Sequence, residues 1–198
     1  SEMNYITGST GGSVYVADAN LGNNKAVFSG RLSYAKGGYV LRMMKWILGD
    51  AVFYQALKDY HARPNLAYNY VRTDDLKTSL LQSTGVDFTE FFNDWIYGQG
   101  YPTYQIKWNQ TADKIIRFKV GQTQSNSSVS FFEMPLPIKV TGTAGEVAYL
   151  VLNNNSNNQN FTEALTFNVA SVQFNYENQM ITKNSTVTKD SGILAVDN

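Results

Sequence analysis

The sequence predicts an α+β protein, a helical half followed by an antiparallel β-sandwich. Two observations carry this expectation. Apolar residues recur with a helical period from Tyr34 to about Tyr97, and with a period of two from Tyr104 onward. Glycines, prolines and capping side chains fall where each pattern breaks. Three regions are therefore expected: an extended lead-in over residues 1–33, a helical region over 34–100 and a sandwich over 101–198.

The lead-in is rich in Gly, Ser and Asn, with extended candidates at Ser13–Ala17 and Ala26–Phe28. In the first helix Val40, Met43, Met44, Ile47 and Leu48 follow i, i+3, i+4, i+7, i+8, and Tyr39 and Trp46 widen the stripe. Gly49 is a stop signal, and Asp50 an N-cap for a second helix carrying Phe53, Ala56, Leu57 and Tyr60 and ending before Pro64. Thr73 is expected to cap a third helix, with Asp74 and Asp75 placed where the helix dipole favours negative charge. Its buried face reads as Leu76, Leu80 and Leu81, and Gly85 ends it. Asp87 and Glu90 have capping-box spacing for a fourth helix, striped by Phe88, Phe91, Phe92, Trp95 and Ile96.

Beyond Pro102, Tyr104, Ile106 and Trp108 alternate with polar residues, as do Ile116, Phe118 and Val120. Phe132, Met134, Leu136, Ile138 and Val140 form the longest such row, and Pro135 and Pro137 on its other face predict an edge strand. Val147–Leu152, Leu165–Val169 and Val172–Tyr176 add three candidates, separated by polar loops such as Asn153–Gln159. Regularly spaced short strands of this kind build a sandwich.

Composition restricts the chemistry. The formal charge is zero, so no basic field attracts nucleic acid. No apolar run reaches the roughly 20 residues that span a bilayer. There is no cysteine and one histidine, His61, so a thiol nucleophile is excluded and a catalytic zinc site would need donors from elsewhere. The opening Ser-Glu-Met-Asn carries no signal pattern, and further polypeptide is expected upstream.

Nucleotide-binding glycine loops and the G-x-S-x-G elbow are missing. His61 reads as an exposed helix-end residue, and Asp74-Asp75 as first-turn capping acids, since adjacent helical residues diverge by about 100°. Tyr104, Trp108 and Phe118 read as core, with a sugar-binding face as the alternative. Tyr34, at a helix entrance beside Lys36, Gly37 and Gly38, has two readings: a packed, hydrogen-bonded phenol or a hydrogen-bond donor to a developing oxyanion. Spacing alone leaves both open.

Tyr34-Ala35-Lys36-Gly37, then Met43-Met44, Leu48-Gly49-Asp50-Ala51-Val52-Phe53, Thr73-Asp74-Asp75-Leu76, Phe91-Phe92-Asn93-Asp94-Trp95-Ile96 and Gly100-Tyr101-Pro102 resemble the C-terminal part of the aminopeptidase N family, which are gluzincin zinc metallopeptidases. The resemblance covers about residues 29–108. It implies that the helices are the remnant of a thermolysin-like catalytic domain, followed by a β-sandwich. It further implies that Tyr34 stabilises the oxyanion of a scissile peptide carbonyl. The family's H-E-x-x-H motif, its distal glutamate and its G-x-M-E-N segment are absent from this chain, and Ala35 stands where the family usually has glutamate.

The resemblance thus leads to a C-terminal segment of a zinc aminopeptidase-like protein, inactive alone. Zinc and its ligands are expected in an upstream catalytic domain of the same polypeptide, with peptide as substrate. The alternatives are a catalytically dead scaffold of the same fold and a carbohydrate- or protein-binding sandwich module. Lack of cysteine and abundance of Asn, Ser and Thr suggest a bacterial extracytoplasmic protein.

Overall fold

A computed structural model describes residues 1–193. The chain divides into two compact units, the first spanning Ser1–Gly100 and the second beginning at Tyr101.

The first unit opens with a short helix α1, Glu2–Ile6, capped by the Ser1 hydroxyl, which accepts from the Asn4 N–H. The expected extended segment Ser13–Ala17 is not a strand. Its Tyr15 N–H makes a single bond to Ile96 O (3.0 Å), and no ladder forms. The candidate at Ala26–Phe28 falls largely in helix α2, Asn24–Val27, because the Asn23 side chain caps it through Lys25 N–H (3.0 Å). Next comes a π-helical turn, Gly30–Lys36, which runs directly into α3, Gly37–Leu48. The first helix therefore starts earlier than its apolar stripe suggested, and with a wider turn.

Helix α4, Asp50–Ala62, follows at once, then α5, Thr73–Thr84, and α6, Thr89–Phe92, which widens into a second π-helical turn, Asn93–Tyr97. The core joins Tyr39, Val40, Met43 and Met44 of α3 to Phe53 and Ala56 of α4, with Leu80, Phe91, Phe92, Trp95 and Ile96. Burying each large apolar side chain contributes about 1.5–3 kcal/mol, which is what holds these short helices together.

Four local expectations need correction. Gly49, not Asp50, is the N-cap of α4, and Asp50 is its first residue. Arg72, not Thr73, is the N-cap of α5, and its N–H donates to the Asp75 carboxylate (2.6 Å). Leu81 is 45% exposed; Ser79 is buried on that helix instead, because Arg63 reaches in from the end of α4 and donates to its hydroxyl (2.6 Å). At α6 the Asp87 carboxylate accepts from Thr89 N–H (2.8 Å), so the helix begins at Thr89 with Phe88 as cap and no reciprocal bond from Glu90.

The second unit holds seven strands among the described residues: β1 Pro102–Gln110, β2 Ile115–Gln124, β3 Met134–Gly142, β4 Val147–Asn154, β5 Gln159–Ala164, β6 Val169–Phe174 and β7 Thr186–Lys189. They form two sheets, ordered β5-β2-β1-β7 and β4-β3-β6. All pairings are antiparallel except β1 with β7, which is parallel. Tyr104, Ile106, Trp108, Ile116, Phe118 and Val120 of one sheet and Met134, Leu136, Ile138, Val140 and Leu152 of the other are buried.

Two readings in this unit are overturned. The fifth strand lies at Gln159–Ala164, between the expected loop Asn153–Gln159 and the expected strand Leu165–Val169, and all of Leu165–Val169 except Val169 is bend or irregular chain. Strand β3 is central in its sheet, not an edge. The prolines are tolerated there because their positions face the β6 side, where Pro137 O accepts from Asn175 N–H (3.0 Å) but the β6 ladder spans only Ile138–Gly142.

Candidate functional site

Tyr34 sits in the π-helical turn Gly30–Lys36. The turn starts at Ser29, whose hydroxyl accepts from Leu32 N–H (3.2 Å) and whose carbonyl accepts from both Ser33 N–H (2.9 Å) and Tyr34 N–H (3.2 Å). The Tyr34 bond spans five residues and is the widened turn itself. Such turns are uncommon and are frequently found at functional sites. Tyr34 is 62% exposed, and its hydroxyl has no hydrogen-bond partner among the described residues. Of its two readings, the packed and bonded phenol is thus not what this unit shows.

Two residues on, Lys36 has the opposite fate. It is 2% exposed, and its ammonium has no hydrogen-bond partner among the described residues. Burial, reinforced by the positive charge of Arg31, pulls its pKa from 10.5 down to about 8. Nothing in the sequence marks this burial, because lysine next to two glycines reads as solvated.

The other candidates lie on separate elements. His61 is exposed at the end of α4, its ring 5.4 Å from that of Tyr60. Asp74, in the first turn of α5, is held below the usual carboxylate range, first by the Lys77 ammonium (3.1 Å) and then by the Tyr97 hydroxyl (3.2 Å). A carboxylate so stabilised is a poor proton donor; its bonds run to side chains, and it is Asp75 that accepts from a backbone N–H at the helix entrance. Asp74 and Asp75 line a cleft of about 640 Å³ with Tyr15, Tyr70, Arg72 and Tyr97, and neither Tyr34 nor His61 borders it.

Among the described residues, no group of three or more His, Asp or Glu side chains is placed to hold a metal. With a single imidazole and no thiolate, the donors of this chain do not fit a catalytic zinc. Tyr104, Trp108 and Phe118 are interior, at most 5% exposed, so they cannot form a sugar-stacking platform.

Residues 13–95 match the peptidase family M1 domain. This segment is M1 peptidase-family sequence. The chain is 27% identical over 120 residues to "Probable aminopeptidase 2" of Sulfurisphaera tokodaii, covering 61% of this chain and 15% of that protein. It is 33% identical over 76 residues to "Aminopeptidase N" of Lactococcus lactis, covering 38% of this chain and 9% of the relative. Its fold is similar to that of Legionella pneumophila aminopeptidase A, solved in complex with aspartic acid, with a TM-score of 0.62 at 14% identity over 82% of this chain and 19% of that one. This chain therefore spans less than a fifth of these proteins. The M1 segment begins at Ser13 and includes Tyr34, Lys36 and both π-helical turns up to Trp95.

Proposed function

We propose that this chain supplies the oxyanion-stabilising tyrosine of a zinc-dependent M1 aminopeptidase. The metal and the residues that read the substrate's amino terminus would come from upstream polypeptide. The observation that carries the reading is Tyr34: an exposed phenol with no hydroxyl partner among the described residues, on a π-helical turn within the M1-matched segment. A hydroxyl not committed to an internal bond is available to donate to a carbonyl oxygen as that oxygen gains negative charge. One donor of this kind contributes about 2.7–4 kcal/mol to the barrier, or 10²–10³ in rate. In this reading, activation of the attacking water belongs to zinc bound outside this chain.

The test is to extend the polypeptide upstream through the M1 domain. The longer protein should release N-terminal residues from peptides and lose that activity to a chelator, while the 198-residue chain alone should show none. A longer protein that is inactive, or active in the presence of chelator, contradicts the assignment.

A further inference from the structure

The π-helical turn that displays Tyr34 is intrinsically poor. Its wide bonds are less favourable than α-helical ones, and it buries an ammonium without an acceptor among the described residues. Something must hold it. Arg31, the second residue of the turn and three before Tyr34, directs its guanidinium at the lead-in. Its Nη1 donates to Ile6 O (3.2 Å) and Ser9 O (3.4 Å), and its Nη2 donates to Gly11 O (2.5 Å). The two strands of chain touch closely around these bonds. Gly12, at φ +92°, lies so near Leu32 that a Cβ there would come within 2.5 Å of the leucine side chain. Gly30 similarly admits the Tyr5 hydroxyl, which would stand 2.9 Å from an added Cβ.

We propose that Arg31 is a positioning residue, whose guanidinium clamps the turn carrying Tyr34 to three carbonyls of the lead-in. The planar fork suits this task, because one rigid group can serve acceptors spread over several residues, whereas an ammonium is a single compact point. The acceptors all precede residue 13, where the M1 match begins, so the clamp joins the matched segment to chain outside it. The clamp acts on Tyr34 only through the backbone of the turn. Its catalytic consequence rests on the oxyanion role proposed above, while its structural consequence does not.

The experiment has two arms. In the 198-residue chain, Arg31→Gln should raise amide hydrogen exchange over residues 30–36 by roughly tenfold or more, with α4 and α5 unchanged. Unchanged exchange in the turn, or a uniform rise through the whole unit, overturns the clamp. In the protein extended through the M1 domain, Arg31→Gln should lower kcat about tenfold to a hundredfold with KM within about twofold. Arg31→Lys should recover only part of that loss. If Tyr34→Phe slows turnover but Arg31→Gln does not, the positioning role is wrong and the function stands. If Tyr34→Phe has no effect on turnover, the function and the catalytic role of the clamp both fall, and the exchange arm still decides whether the clamp exists.

Discussion

The first unit contains two π-helical turns, and they use the same backbone departure for opposite ends. The turn Asn93–Tyr97 closes with Gly98 N–H on Asn93 O (2.7 Å) and buries Asp94, Trp95 and Ile96. The turn Gly30–Lys36 closes on Gly37, buries Lys36 and leaves Tyr34 outside. In the second turn of the chain the widened register fits a large indole into the core, next to Phe91 at 6.3 Å. In the first it forces a cation inward and a phenol outward. The contrast separates a π-turn that buries an indole in its unit from one that buries a lysine and leaves a phenol at the surface.

Trp95→Ala should destabilise the first unit most, by about 3–5 kcal/mol, as expected for a fully buried aromatic. Denaturant unfolding followed by a signal from that unit would measure it. A loss below 1 kcal/mol would mean that the second π-turn is not a core element.

Lys36→Met should act in the opposite direction. A folded-state pKa of about 8 against 10.5 corresponds to about 3 kcal/mol of destabilisation, present in full below pH 8. The unfolded chain binds the extra proton between those values, so wild-type stability should rise as pH increases from about 8 toward 10.5. Lys36→Met should be more stable at pH 7 by up to about 3 kcal/mol and should lose that rise. Unfolding free energies measured across this pH range would show a parallel pair of curves if the first turn costs nothing.

The smallest effect concerns the helices that frame the turns. Asp75→Ala removes the acceptor of Arg72 N–H and should cost about 1 kcal/mol. A neutral result would show that the α5 entrance is held by packing alone.

The helices were legible because their stripes and breakers agree: Gly49, Gly85 and the Met43-Met44 pair each mark an element that exists. The alternating rows of β1, β2 and β3 were legible for the same reason. What escaped were features set by tertiary partners. Gln159–Ala164 lacks clean alternation in its composition, yet pairs with β2 because Phe161 faces Phe118. The prolines of β3 suggested an edge because the length of the β6 ladder is invisible in sequence. In the candidate site, Tyr34 stood out through its motif. The roles of Arg31 and Lys36 depend on which way a π-turn rotates each side chain, and hydrophobic periodicity carries no signal for a seven-residue π-helical segment.

The proposed role at a reacting carbonyl makes use of a Tyr34 hydroxyl that is exposed and has no partner among the described residues. Its most direct test is kcat for an aminoacyl-anilide in the protein extended through the M1 domain, with tyrosine and with phenylalanine at position 34. Tyr34→Phe should lower kcat by roughly 10²–10³ with the melting temperature and KM little changed. Equal turnover in the two proteins would rule out the oxyanion role of Tyr34.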